Sequence, residues 1–154
     1  MFYLAALIIF ILDQITKYII AITMRPGQTI PILKNILHLT YVQNRGAAFG
    51  LFYGKLWFLI PAGMILVILM LYYYFRSQKS YWMQIPLGLI IGGSLGNISD
   101  RIFRQYVVDF IDFRFWPVFN LADTMINIGV FLIVIRLITS SPDPFSIKDG
   151  EGEP

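Results

Sequence analysis

The chain has 154 residues, 57% of them hydrophobic and only 14% charged, with a formal net charge of +3. A soluble domain carries about a quarter charged residues, so this composition belongs in a membrane, and the length suits one compact unit with short connections. The absence of cysteine and the single histidine, His38, exclude disulfides, iron–sulfur clusters, thiolate zinc sites, cysteine nucleophiles and multi-histidine metal sites, while the scattered basic residues form no stripe for nucleic acid.

Four apolar segments predict four helices, because about 20 residues cross the hydrocarbon core. The first runs from about Phe2 to Thr23 and is broken by Asp13 and Lys17. No basic run precedes it and Asp13 interrupts it, so it reads as a retained helix rather than a cleaved leader. Asp13 and Lys17, four residues apart, share a helix face in the favourable acid-before-base order. The plain reading is a pair that neutralises itself inside the membrane.

The connection from Met24 to Lys55 contains two strand-like runs, Gln28 to Leu33 and Ile36 to Val42, rich in β-branched and aromatic residues. Tyr41 to Gly50 follows. Its Asn44 offers both donor and acceptor, and the small Gly46, Ala47 and Ala48 permit a tight turn and close approach of another chain. Either an ordinary turn or a binding loop fits. The second helix, Leu56 to Phe75, has no charge at all.

The third, Met83 to Ile98, is short and Gly-rich. The run Gly92 to Arg101 closes it, with Asn97, Asp100 and Arg101 at i, i+3 and i+4 on one side. Asp100 with Arg101 reads as an interfacial salt bridge. An arginine at this depth also suits a carbonyl or a phosphate.

Tyr106 to Phe113 reads as a third strand, in which alternation puts Asp109 and Asp112 on opposite faces. Only one of them can face the helices, and spacing leaves open which. The fourth helix runs from about Asn120 to Thr139. Asn120 and Asp123 have capping-box spacing, yet Asp123 is also a carboxylate embedded in an apolar run.

Four spans place both termini on one side and the two long connections on the other. Strands cannot stand open in lipid, so a small sheet should roof the helices at the interface. Counting Lys and Arg by the positive-inside rule would put the long connections in the cytoplasm, although several of those arginines adjoin aspartates. Residues 1–139 read as one membrane-embedded domain. Residues 140–154, with Pro, Ser, Gly and acidic residues, read as a disordered tail.

All carboxylates in or beside the apolar part are aspartates: Asp13, Asp100, Asp109, Asp112 and Asp123. Two carboxylates close together share one proton. One then serves as base towards a water and the other as acid towards a peptide carbonyl, with no metal or cofactor. A proton-coupled carrier using the same carboxylates is the alternative, but the chain shows no internal repeat.

The runs Asp13–Lys17, Asn44–Gly50, Gly96–Arg101, Val107–Ile111 and Phe119–Asp123 occur in the order and at the spacing of one family. The chain resembles lipoprotein signal peptidase, or signal peptidase II, an intramembrane aspartic peptidase of bacteria. The resemblance implies an all-α membrane protein with four transmembrane helices and a small β-rich cradle on the outer face. It implies cleavage of signal peptides from prolipoproteins just before a diacylglyceryl-modified cysteine. It assigns the catalytic pair to Asp109 and Asp123, and supporting or substrate-binding roles to Asp13, Asn44, Asn97, Asp100, Arg101 and Asn120. Asp112 lies outside the family's pattern, and Thr124 stands where a serine is frequent. The expected partners are diacylglyceryl-modified prolipoproteins and membrane lipids, with no nucleic acid and no metal. The expected setting is a monomer in the bacterial cytoplasmic membrane, with both termini cytoplasmic and the site towards the outer leaflet.

Overall fold

A computed structural model describes residues 1–46, 51–76 and 81–139. The tail 140–154, and Ala47 to Gly50 of the second motif, lie outside the described residues. In chain order the elements are α1 (Phe2–Thr23), β1 (Thr29–Leu33), β2 (Leu37–Asn44), α2 (Leu56–Arg76), α3 (Tyr81–Phe103), β3 (Val107–Asp112) and α4 (Leu121–Thr139). The three strands form one antiparallel sheet in the order β1-β2-β3.

α1, α2 and α4 are each long and apolar enough to cross a membrane, with hydropathies of 1.9, 2.2 and 2.0 over their most apolar stretches. Their outward residues, such as Leu4, Leu7, Ile68, Leu69, Phe131 and Leu137, are exposed. Helices that are apolar on nearly every side and bury so little belong in lipid.

α3 differs because it is the hub. It packs against α1, α2 and α4, and Leu87, Ile90, Ile91, Asn97, Ile98 and Asp100 are buried along it. Its small residues explain the close packing, as in other membrane helix pairs. A Cβ on Gly92 would stand 2.5 Å from the Ala6 carbonyl oxygen of α1, and one on Gly93 would stand 2.6 Å from the Ala122 carbonyl oxygen of α4.

This corrects the sequence boundary. Gly92 to Arg101 reads as a helix end, yet α3 continues through Phe103, because its small and polar residues face neighbouring helices instead of solvent. The chain reverses at Gln105, in the left-handed region at φ 65°, and enters β3.

β3 lies between the helices and the rest of the sheet. It pairs with β2 through Val42 opposite Asp109 and Asn44 opposite Val107, with an irregularity between Leu39 and Val42. A second apolar cluster joins the end of α1 to the sheet through Ile20, Met24, Tyr41, Val108 and Phe110. The segment after β3 folds back on it: Phe119 N–H donates to the Ile111 carbonyl at 3.1 Å, and Ile111 N–H returns to the Phe119 carbonyl at 2.7 Å. That bridge sets the start of α4 directly beside β3.

Candidate active site

Asn120 precedes α4 and forms a reciprocal cap with Asp123. Asp123 N–H donates to Asn120 Oδ1 at 3.0 Å, and Asn120 N–H donates to Asp123 Oδ2 at 3.3 Å. The capping box anticipated from the sequence is therefore present. It does not exhaust Asp123, whose other oxygen, Oδ1, accepts from Asn97 Nδ2 at 2.8 Å.

Asp109, on β3, receives Asn120 Nδ2 on Oδ1 at 2.7 Å and Asn44 Nδ2 on Oδ2 at 2.9 Å. Asn120 thus bonds both carboxylates. Asn97 Oδ1 accepts from Asn120 Nδ2 at 3.2 Å and closes the circuit. Burial pushes the Asp109 carboxyl up to about 7, and the charge of Asp123 adds to the rise, while the amides of Asn44 and Asn120 and the charge of Lys17 oppose it.

Both carboxylates line one cavity of about 810 Å³, walled by Phe113, Phe115, Trp116 and Ile126, with Arg101 and Asn44 on its polar side. Arg101 ties two elements together. Its guanidinium donates to the Gly46 carbonyl at 3.2 Å and to the Asn97 carbonyl at 3.3 Å. Gly46 N–H in turn donates to Asn44 Oδ1 at 2.9 Å, so the turn after β2 is pinned to α3.

Below the pair lies a fully buried ionic cluster. Lys17 Nζ contacts Asp13 Oδ2 at 2.8 Å, Asp100 Oδ2 at 3.2 Å and Asn97 Oδ1 at 2.9 Å. Asp13 Oδ1 accepts from Ala122 N–H at 3.0 Å in the first turn of α4. Asp100 accepts from Val108 N–H at 3.2 Å and meets Arg104 at 3.5 Å. These two aspartates hold α1, α3, β3 and α4 in register. Removing Lys17 alone would leave both carboxylates without their buried cation, at a cost of about 3–5 kcal/mol.

Two expectations need revision. Asp100 does not pair with Arg101; its cations are Lys17 and Arg104, because adjacent residues on a helix point about 100° apart. The Asp13–Lys17 pair exists, but it is not self-contained. Asp109 and Asp112 do face apart. Asp112 accepts from Thr40 Oγ1 at 2.7 Å and from Arg114 N–H at 2.8 Å, partners that Asp109 does not share. Of the residues singled out, Asp13, Asn44, Asn97, Asp100, Arg101, Asp109, Asn120 and Asp123 join one hydrogen-bonded assembly.

The signal peptidase (SPase) II family matches residues 5–139. The chain belongs to the signal peptidase II family. It is 46% identical over 137 residues to the lipoprotein signal peptidase of Halothermothrix orenii, covering 89% of this chain and 94% of that protein. It is 44% identical over 148 residues to the lipoprotein signal peptidase of Nostoc punctiforme, covering 92% of each. Its fold matches a bacterial membrane enzyme solved by the in meso method at 2.3 Å, with a TM-score of 0.86, 38% identity and coverage of 94% of this chain and 93% of that one. Signal peptidase II proteins are membrane peptidases, and the apolar helices described above suit such an enzyme.

Sequence reading leaves out much of what three residues beside this candidate site do. It pairs Lys17 only with Asp13, whereas Lys17 reaches three partners on two helices. Gln14 Nε2 bridges Asp13, the Gly96 carbonyl and Asp100 at 3.2, 3.2 and 3.4 Å. Gly96 lies so close to the Asp13 carboxylate that a Cβ would overlap it. The i, i+4 spacing of Asp13 and Lys17 is the available signal; the other two partners of Lys17, Asn97 and Asp100, lie 80 or more residues away and leave no local trace.

Proposed function

We propose that this peptidase cleaves signal peptides from prolipoproteins just before a diacylglyceryl-modified cysteine, using Asp109 and Asp123 on one water. The observation that carries this reading is Asn120, whose side chain donates to Asp109 at 2.7 Å and whose backbone N–H donates to Asp123 at 3.3 Å, joining two carboxylates that line one cavity.

Asp109 holds the proton, since burial keeps its carboxyl neutral to about pH 7. Asp123, at the N-terminus of α4, serves as the base. In the forward step Asp123 takes a proton from water as the oxygen attacks the scissile carbonyl carbon. Asp109 gives its proton to the carbonyl oxygen, forming a neutral gem-diol. Collapse returns a proton to Asp109 from a hydroxyl of the diol, while Asp123 delivers its proton to the leaving nitrogen, and the C–N bond breaks. The pair ends as it began. The titration belongs to the pair as a unit.

The polar residues Arg101 and Asn44 lie at the backbone-binding side, and Phe113, Phe115, Trp116 and Ile126 supply the apolar wall for acyl chains. α3 is the fourth span, screened from lipid by its neighbours. Both termini are cytoplasmic, and the sheet and cavity lie at the outer leaflet. The enzyme acts as a monomer on substrates that arrive through the bilayer, and residues 140–154 form a cytoplasmic tail outside the catalytic domain, 1–139. A cleavage assay on one precursor with and without its diacylglyceryl group tests the substrate class. Cleavage of the lipidated form alone is expected. Equal turnover of the unlipidated form would remove the lipid requirement.

A further inference from the structure

Each of the three asparagines beside the two carboxylates is held by a donor that cannot accept. Gly46 N–H occupies Asn44 Oδ1 at 2.9 Å, and Asp123 N–H occupies Asn120 Oδ1 at 3.0 Å. The third, Asn97 Oδ1, accepts from Lys17 Nζ at 2.9 Å and, at a longer 3.2 Å, from Asn120 Nδ2. An ammonium has three N–H bonds and no lone pair, and those of Lys17 go to Asp13, Asp100 and Asn97. The atom of Asn97 facing Lys17 must therefore be its oxygen. That leaves Nδ2 aimed at Asp123 Oδ1, 2.8 Å away. With the amide reversed, an NH2 group would face an ammonium, and a carbonyl oxygen would face a carboxylate.

We infer that Lys17 is a positioning residue for hydrolysis: it fixes the side-chain amide of Asn97 so that its N–H is held on Asp123. Lys17 touches neither carboxylate of the reacting pair. The inference rests on the assignment of Asp109 and Asp123 as that pair. It gives the buried lysine a task beyond neutralising Asp13, which an ion pair alone does not require. It also explains why the amide of Asn97, on α3, faces α1 and α4 at once.

Lys17→Met by itself would leave Asp13 and Asp100 short of a cation, so the informative variant is charge-balanced, D13N/K17M. Loss of the oriented N–H disfavours the Asp123 anion. The acidic limb of the kcat/KM profile should then move up by about one pH unit, with kcat reduced about tenfold. The decisive arm adds Asn97→Ala. If Lys17 acts through Asn97, introducing D13N/K17M into Asn97→Ala should move the acidic limb no further. Shifts that add would mean that Lys17 acts by its charge alone, and would overturn the inference. In the unsubstituted protein the Asn97 side-chain NH2 resonance should follow the titration of the pair; an indifferent resonance overturns it equally, whatever the variants' fold. An Asp109→Asn protein that still cleaves would remove the pair itself, whereas additive shifts beside an inactive Asp109→Asn remove only the role of Lys17.

Discussion

Asp109 illustrates how burial and a neighbouring carboxylate act on one side chain. Only 2% of it is exposed, and burial and Asp123 raise its carboxyl from the ordinary 3.8 to about 7. Between those values the folded protein holds a proton that the unfolded chain has released. Stability therefore falls as pH rises from about 4 to 7 and levels above, by at most about 4 kcal/mol from this group. Asp109→Asn removes the titration, so its melting temperature should slope less steeply over that range in detergent. Parallel curves for the two proteins would show that Asp109 titrates normally. Asp112 contrasts with it. Burial pushes Asp112 up, but the bonds from Thr40 and Arg114 outweigh that and hold it below the usual range. Choosing between the two aspartates was beyond strand alternation, because both are buried and only the partners that fold in from Asn44 and Asn120 tell them apart. Asp123 was legible twice over, as a cap and as a carboxylate in an apolar run, and the structure keeps both roles on different oxygens.

Among the elements, α3 departs furthest from its sequence reading. Gly, Ser and Asn ordinarily weaken a helix, yet the run Gly92 to Arg101 reads as its closing stretch, with small residues that suit close packing of helices in lipid. In the fold each small residue marks a close approach: Gly92 to α1, Gly93 to α4, Gly96 to the Asp13 carboxylate. Propensity was overridden by packing partners that are distant in sequence. The strands were legible to within two residues, because their β-branched composition and flanking Gly and Pro are local signals. Their pairing order and the irregularity opposite Phe110 were not. Gly96→Ala puts a methyl against Asp13 and displaces the Lys17 cluster. It should destabilise the protein by about 1–3 kcal/mol, read as a lower melting temperature together with reduced cleavage. A Gly96→Ala protein with unchanged melting and turnover would mean that α1 and α3 have slack at this point.

For the whole molecule, composition already pointed to a membrane protein, and the length of the apolar segments marked the helices. What it could not supply was convergence. α1 contributes Asp13 and Lys17, β2 Asn44, α3 Asn97, Asp100 and Arg101, β3 Asp109, and α4 Asp123. Asn120 stands just ahead of α4. They meet only because α3 is the hub and the Phe119–Ile111 bridge sets α4 against β3. A carrier with the same carboxylates would need a gradient to act, whereas a peptidase needs none, so the purified protein in detergent is the right preparation. The most direct test measures cleavage of a diacylglyceryl-modified precursor by Asp109→Asn and Asp123→Asn, each checked for native melting, with Asp112→Asn as the control. A dyad at Asp109 and Asp123 predicts loss of at least about a thousandfold in kcat for either, and Asp112→Asn within about twofold of the parent. Folded Asp109→Asn or Asp123→Asn protein that cleaves at the parent rate would contradict it.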